Sequence, residues 1–418
     1  MRDVVVLLFL LGCFFAAIRT PWHGVLALAV FSYLNPHSYA WGFARSLPAY
    51  QILFLIVATR TFFTKDKQKL PKDWRIPLFI CLFIYFIFTT TQATVSYLAW
   101  PKLWLTAKIY LPYLFTLLLI NTREKLYYLI ITVAASIGII ASKGGVFAAL
   151  HGFSYRVYGP LGTQFYDNNQ FALAVLINIP LLILWYIETK NKKIKMGLMA
   201  AIPLSFISSL SSWSRGALLA MGVLLLILLW NSRQKLLTLP LIVIGGFVIS
   251  DFLPAEWFGR MSGIKSHTDE SAMSRIRAWK DGWNFTLDHP FTGSGFEGWH
   301  WVTEREWHSS YVEMFAEHGF IAFAMWLTLI IGTLVSLTLL PKKTKGIEGM
   351  EWVRNYCFMF RASLITYMVG GLFLGLSYWD ILYHLIFMAV LIKKFALEEL
   401  SAKTTHDLSK KKSSYGVP

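Results

Sequence analysis

The sequence predicts an all-α protein that crosses a membrane many times, and three observations carry that prediction. Of its 418 residues, 56% are hydrophobic and only 15% charged, with a mean hydropathy of +0.52; soluble domains carry about 25% charged residues. The apolar residues come in repeated runs on the scale of a bilayer's hydrocarbon core, about 30 Å. In lipid every backbone polar group must be satisfied within the chain, so such runs are helices. The formal net charge of +16 would point to nucleic acid in a soluble protein. Here the excess sits in short loops between apolar runs, where membrane orientation explains it, and no nucleic-acid partner is expected.

Taken in order, the candidate spans cover 4–18, 25–34, 50–63, 76–91, 103–120, 126–141, 171–187, 196–210, 217–230, 236–253, 311–340, 356–376 and 381–392. The first run follows a single arginine and has no small-residue cleavage site, so it is expected to be a first span rather than a removed signal. Basic clusters at 65–75, 123–125, 190–195, 233–235, 342–345 and 393–412 place those loops in the cytoplasm. The loops at 97–102, 143–170, 211–216, 252–310 and 377–380 then lie outside. An odd number of crossings with a cytoplasmic tail would put the N-terminus outside. Because the first two runs are short, about twelve crossings with both ends inside are expected. The domain reading is transmembrane helices over 1–251, a large external loop domain over 252–310, C-terminal spans over 311–395 and a basic, disordered cytoplasmic tail over 396–418. Cys13, Cys81 and Cys357 each lie in an apolar run without metal or redox spacing and read as packing residues.

Within the external segment, 271–287 reads as an amphipathic helix with Ile276, Trp279 and Trp283 as its apolar stripe. Pro290 and the glycine-rich GSGFEG end it. Ser310 and Glu313 have the spacing of a capping box, so the next helix is expected to start near Tyr311 and run unbroken to about residue 340, ~45 Å long. That exceeds the bilayer core and sets the helix start, with His308, above the membrane plane.

Two readings of His308 are open: it closes the helix end, or its imidazole accepts a proton near neutral pH. Arg215, in SSLSSWSRGALLA, either snorkels to lipid phosphate or grips an anionic ligand with its planar fork. Arg156 lies in a loop that ends in Asp167, Asn168 and Asn169, residues suited to capping the following helix. Arg275 and Arg277 belong to the amphipathic helix. Glu313 and Glu317 are expected to cap and solvate the helix start, and His318, by helical phase, to be structural. These arginines and His308 come from four segments on one predicted face. Several arginines around one pocket suit a phosphate or pyrophosphate and keep a neighbouring histidine neutral. The sequence has no acidic Mg²⁺ signature, nucleotide phosphate loop or paired-cysteine zinc pattern, so neither metal nor cofactor is expected.

Four motifs in order, SRGA at 214–217, SRIRAW at 274–279, HPFTGSGFEG at 289–298 and HSSYVEMFAEHGFIA at 308–322, together resemble the O-antigen ligase and polymerase superfamily. Ala322 stands where a second glycine is usual, expected to be a tolerated packing change. The resemblance implies a GT-C-like membrane glycosyltransferase, inverting and metal-independent. It would move a glycan from undecaprenyl pyrophosphate to a sugar hydroxyl on the periplasmic face of the bacterial inner membrane. In the ligases the acceptor is lipid A-core oligosaccharide. Arg215 and Arg275 are implied as pyrophosphate ligands, with Arg156 and Arg277 beside them, and His308 as the general base. Membrane lipid surrounds such a protein, and no obligate protein partner is implied. The chain is also similar to predicted O-glycosylation ligases found near exosortase systems, whose acceptor is a protein, and a polymerase would use the same donor. A lipid-linked sugar transporter, of a different class, would carry charges along the midplane of several spans. Lys108, Arg361 and Asp380 are the few candidates, and the basic residues gather at the outer edge instead.

Overall fold

The computed structural model describes residues 2–232, 235–262 and 270–414. Its long elements are helices: α1 (Arg2–Arg19), α2 (Pro21–Tyr33), a short α3 (Phe43–Ser46), α4 (Ala49–Phe63), α5 (Arg75–Thr91), α6 (Ser96–Leu119), α7 (Arg123–Leu150), α8 (Asn168–Glu188), α9 (Lys192–Leu210), α10 (Arg215–Asn231) and α11 (Lys235–Phe252). After them come α12 (Ala255–Ser262), α13 (Glu270–Asp288), a single turn α14 (Trp299–Val302), α15 (Ser310–Lys343), α16 (Glu351–Gly370) and α17 (Asp380–Ser414). Each candidate span overlaps one of these helices. Arg123–Leu150, Asn168–Glu188, Lys192–Leu210 and Ser310–Lys343 are long and apolar enough to cross a membrane, and several shorter helices are apolar. The architecture fits a polytopic membrane protein.

Local sequence explains the helix starts. The Asp167 carboxylate accepts from the Asn169 and Gln170 amides at the head of α8, and Thr122, Asn191 and Ser214 cap α7, α9 and α10 in the same way. From Phe171 to Leu182 every residue of α8 is buried, as is every residue from Asp380 to Ile392 of α17, so these two stretches form the centre of the bundle.

The connecting loops gather at two ends. At one, Asn35 Nδ2 donates to the Leu161 carbonyl (3.0 Å), Val157 N to Ser211 O (3.1 Å), Thr94 N to Ser294 O (2.9 Å) and Ser310 N to Gly371 O (2.7 Å). At the other, Gln68 N donates to Leu118 O (2.9 Å), Lys125 pairs with Asp66 (2.8 Å) and Lys393 with Asp73 (2.9 Å). The charge pattern separates the same two sets of loops. The start of α1 packs at the first of these ends. The Asp3 carboxylate accepts from Gly42 N (2.8 Å) in the α2–α4 connection, so α1 begins at the first end while α17 runs away from it. The two short first runs are complete helices, and among the described residues α1 starts at the end from which α17 runs away.

Two expectations are corrected. α7 carries Lys143 and continues to Leu150, so the following loop is shorter than 143–170. α17 remains helical to Ser414 where disorder was expected; Ala, Leu, Lys and Glu favour helix, and Glu398 and Glu399 pair with Lys394 and Lys403 one turn away. Residues 415–418 lie outside the described residues. Asp380, at the head of α17, is held by Ser32, Tyr113 and His384, and its backbone N–H donates to Gln164 Oε1 (3.1 Å). It therefore anchors a loop at the site end rather than lining a midplane path.

Candidate active site

The head of α15 is built by the glycine-rich turn. At Gly319 the backbone leaves the helix (φ 75°, ψ 177°), so Ser310–Lys343 is two helices meeting at a kink, not one continuous rod. A break orphans carbonyls and an amide, and these must find other partners. Ser294 N donates to Ala316 O (2.9 Å), Gly295 N to Glu317 O (2.7 Å), and Phe320 N to Pro290 O (2.8 Å). A Cβ on Gly319 would sit 2.5 Å from the Pro290 carbonyl oxygen. The HPFTGSG segment is thus the structural complement of the kink.

Ser310 and Glu313 do not form a capping box. Ser309 is the N-cap without a side-chain bond, while Ser310 Oγ donates to Leu374 O (2.8 Å) and Glu313 Oε2 accepts from Ser377 N (2.8 Å). Both side chains turn inward because the α16–α17 turn presents unpaired backbone groups there. Glu317 is likewise buried rather than solvating the helix start. Its carboxylate accepts from Tyr378 OH (2.7 Å), Glu297 N (3.1 Å) and Trp307 Nε1 (3.3 Å). His318 is buried, its Nδ1 2.6 Å from Thr89 Oγ1, in a structural setting.

His308 sits between buried Trp307 and the N-cap Ser309, with φ 44°. α13 holds the adjoining peptide: Trp279 Nε1 donates to Trp307 O (2.7 Å), and Gly282 leaves room for the Trp307 ring, which a Cβ would meet at 2.8 Å. The buried seam of α13 is Ala278, Gly282 and Thr286, not the expected stripe. Ile276 and Trp283 are exposed, because close approach to Trp307 selects small residues for the packed face. Burial, then the charges of Arg275 and Arg305, lower the His308 pKa to about 4, with Asp167 opposing them. The imidazole is therefore neutral at pH 7. Nearby, burial alone would raise the Glu297 carboxyl, but Lys102 at 2.6 Å outweighs it and holds the group below its ordinary range.

A second set of arginines surrounds Trp213, whose φ is 60°. Arg215 Nε donates to Arg260 O (2.9 Å), Arg260 Nε donates to Trp213 O (3.0 Å), and the Arg156 guanidinium lies 5.7 Å from the Trp213 ring centre. The start of α8 joins the two sets: Asn168 Nδ2 donates to Ser212 O (2.6 Å), and the adjacent Asp167 acts on His308. The structure thus brings His308 together with Arg275, and Arg215 together with Arg156. Arg277 is not among the charges that act on His308. It is exposed and lines a cavity of about 870 Å³ with Asp281, Thr303 and Arg305.

Comparison with known families bears on this arrangement. Residues 200–327 match a family model described as O-Antigen ligase. That match supports the O-antigen ligase superfamily. The ligase-type segment contains Arg215, Arg260, Arg275, Arg305 and His308, and supports a glycosyl-transferring membrane enzyme acting on lipid-linked glycans. Residues 1–191, which include Arg156 and Asp167, match a family of unknown function. No curated protein matches the chain. Sequence reasoning missed Arg260 and Arg305. The signal for Arg305 was its place three residues before His308 in EREWH; Arg260 gave none beyond being a cation in the external segment.

Proposed function

We propose that the chain transfers O-antigen glycan from undecaprenyl pyrophosphate to a sugar hydroxyl of lipid A-core oligosaccharide, with inversion and without a metal ion, on the periplasmic face of the inner membrane. His308 takes the acceptor hydroxyl's proton as its oxygen bonds to the anomeric carbon. The bond from that carbon to the diphosphate oxygen breaks, and the electron pair leaves with the diphosphate. Arg275 and Arg305, with Arg215 and Arg156 across the α8 start, stabilise the departing charge. The observation that carries this reading is the half-buried His308, set on a left-handed turn that α13 holds in place and lying within the field of the Arg275 and Arg305 guanidinium groups. Among the described residues no group of three His, Cys, Asp or Glu side chains is placed to hold a metal. An O-antigen polymerase or a protein O-glycosylation ligase would use the same donor site with another acceptor.

The test is purified full-length protein with a defined polyprenyl-diphosphate glycan and the candidate acceptors. Transfer is expected to survive EDTA and to fall by at least about 10²-fold in His308→Ala, the range of general-base contributions. Near-normal transfer by that variant would remove the base role, and the acceptor that is glycosylated separates ligase from polymerase.

A further inference from the structure

A cavity of about 250 Å³ opens beside the head of α15, between α6, α8 and the α16–α17 turn. At ~30 Å³ per water it has room for roughly eight waters, the scale of one sugar ring. Its walls include Lys102, Thr106, Gln164, Gln170, Glu313 and Trp379. Buried polar groups normally have partners, yet one here does not. Thr106 Oγ1 is buried without one. A helical threonine ordinarily donates to the carbonyl one turn back, as Thr116 does to Pro112 (3.0 Å) on the same helix. Gln164 uses its side-chain oxygen to accept from Asp380 N. Its NH₂ and the Gln170 amide, both half-buried in the cavity wall, make no side-chain hydrogen bond among the described residues and are open to a ligand. Glu313 Oε2 is taken by Ser377 N, leaving Oε1 as an acceptor.

Fixed donors and acceptors beside an aromatic wall suit a neutral polyol. An anion would face Glu313 while Lys102 is committed to Glu297 (2.6 Å), and an apolar group would strand Thr106 and Gln170. The cavity adjoins the catalytic side. Gln170 follows Asp167 by one turn of α8, and Glu313 lies in the first turn after the His308–Ser309 corner.

We propose that this cavity is a subsite for one neutral sugar ring of the acceptor. Its assignment to the acceptor rests on the transfer function above; sugar binding itself does not. The test is saturation-transfer difference NMR on the full-length protein in detergent micelles, without donor, using the methyl glycosides of glucose, galactose and N-acetylglucosamine. The wild type is expected to bind at least one of them. Gln170→Leu and Thr106→Val are each expected to weaken it about fivefold, as for loss of one neutral hydrogen bond. Thr106→Ser keeps the hydroxyl and is expected to retain binding. Absence of binding to all three rings, or wild-type binding by both Gln170→Leu and Thr106→Val, overturns the subsite. Ring binding without glycan transfer by the wild type would instead sink the transfer reading and leave the subsite standing.

Discussion

At the scale of single residues, the proposed chemistry turns on how a weak base becomes a useful one. With a pKa of about 4, His308 is neutral at pH 7 but a poor proton acceptor. Part of that depression comes from Arg275 and Arg305, the charges that a bound diphosphate would neutralise. Seating the donor would therefore raise the imidazole's basicity when it is needed. Arg275→Gln is expected to raise the His308 pKa in the donor-free protein by roughly one pH unit, about 1.4 kcal/mol of charge interaction. Titration of the ring protons by NMR measures it, and an unchanged value would cut the electrostatic link. In the proposed mechanism the neutral form is the active one, so activity is expected to fall on the acid side of the pKa. The acid limb of kcat, which reports the donor-bound state, is expected at higher pH than that of kcat/KM, which reports the free enzyme. His308 and Arg275 were legible because they stand in ordered motifs. The influence of Arg305 was not, since it depends on the left-handed turn at His308, which no periodicity signals.

At the scale of elements, apolar runs located the helices but not their interruptions. The kink at Gly319 was hidden because Phe320, Ile321 and Phe323 continue the apolar pattern straight through it. Its cause is tertiary: backbone groups of Pro290, Ser294 and Gly295 replace the helix's own partners. The face of α13 was misread for a related reason, as packing against Trp307 requires small side chains where a hydrophobic pattern rewards large ones. Gly319→Ala tests the kink. Alanine resists a φ of 75° and its Cβ would collide with the Pro290 carbonyl, so a loss of about 1–3 kcal/mol is expected. Thermal unfolding in detergent reads the stability, and transfer is expected to fall with it because the corner bearing His308 is built on the same strand of bonds. A variant as stable and active as the wild type would show that the kink places nothing of consequence.

At the scale of the whole molecule, the net charge of +16 acquires a direction. Lysines and arginines crowd the loops at one end, and the end opposite brings together the glycine-rich turn, the α8 start and the α16–α17 turn. Positive loops are retained in the cytoplasm, so the site end is expected to face outward. The same geometry sets the N-terminus apart from the tail, through Asp3 and the α2–α4 connection. Composition alone left that open, because a short apolar run does not reveal whether it crosses or turns back. Single cysteines in a background lacking Cys13, Cys81 and Cys357 decide it. A cysteine added ahead of Met1, and Leu161→Cys in the exposed loop at the site end, are expected to react with a membrane-impermeant maleimide in intact cells. Ser401→Cys on α17 is expected to react only after the membrane is opened. Labelling of the N-terminal cysteine together with Ser401→Cys would mean that α1 does not cross. Labelling of Leu161→Cys only in opened cells would turn the protein over and place the imidazole on the wrong side for a periplasmic transferase.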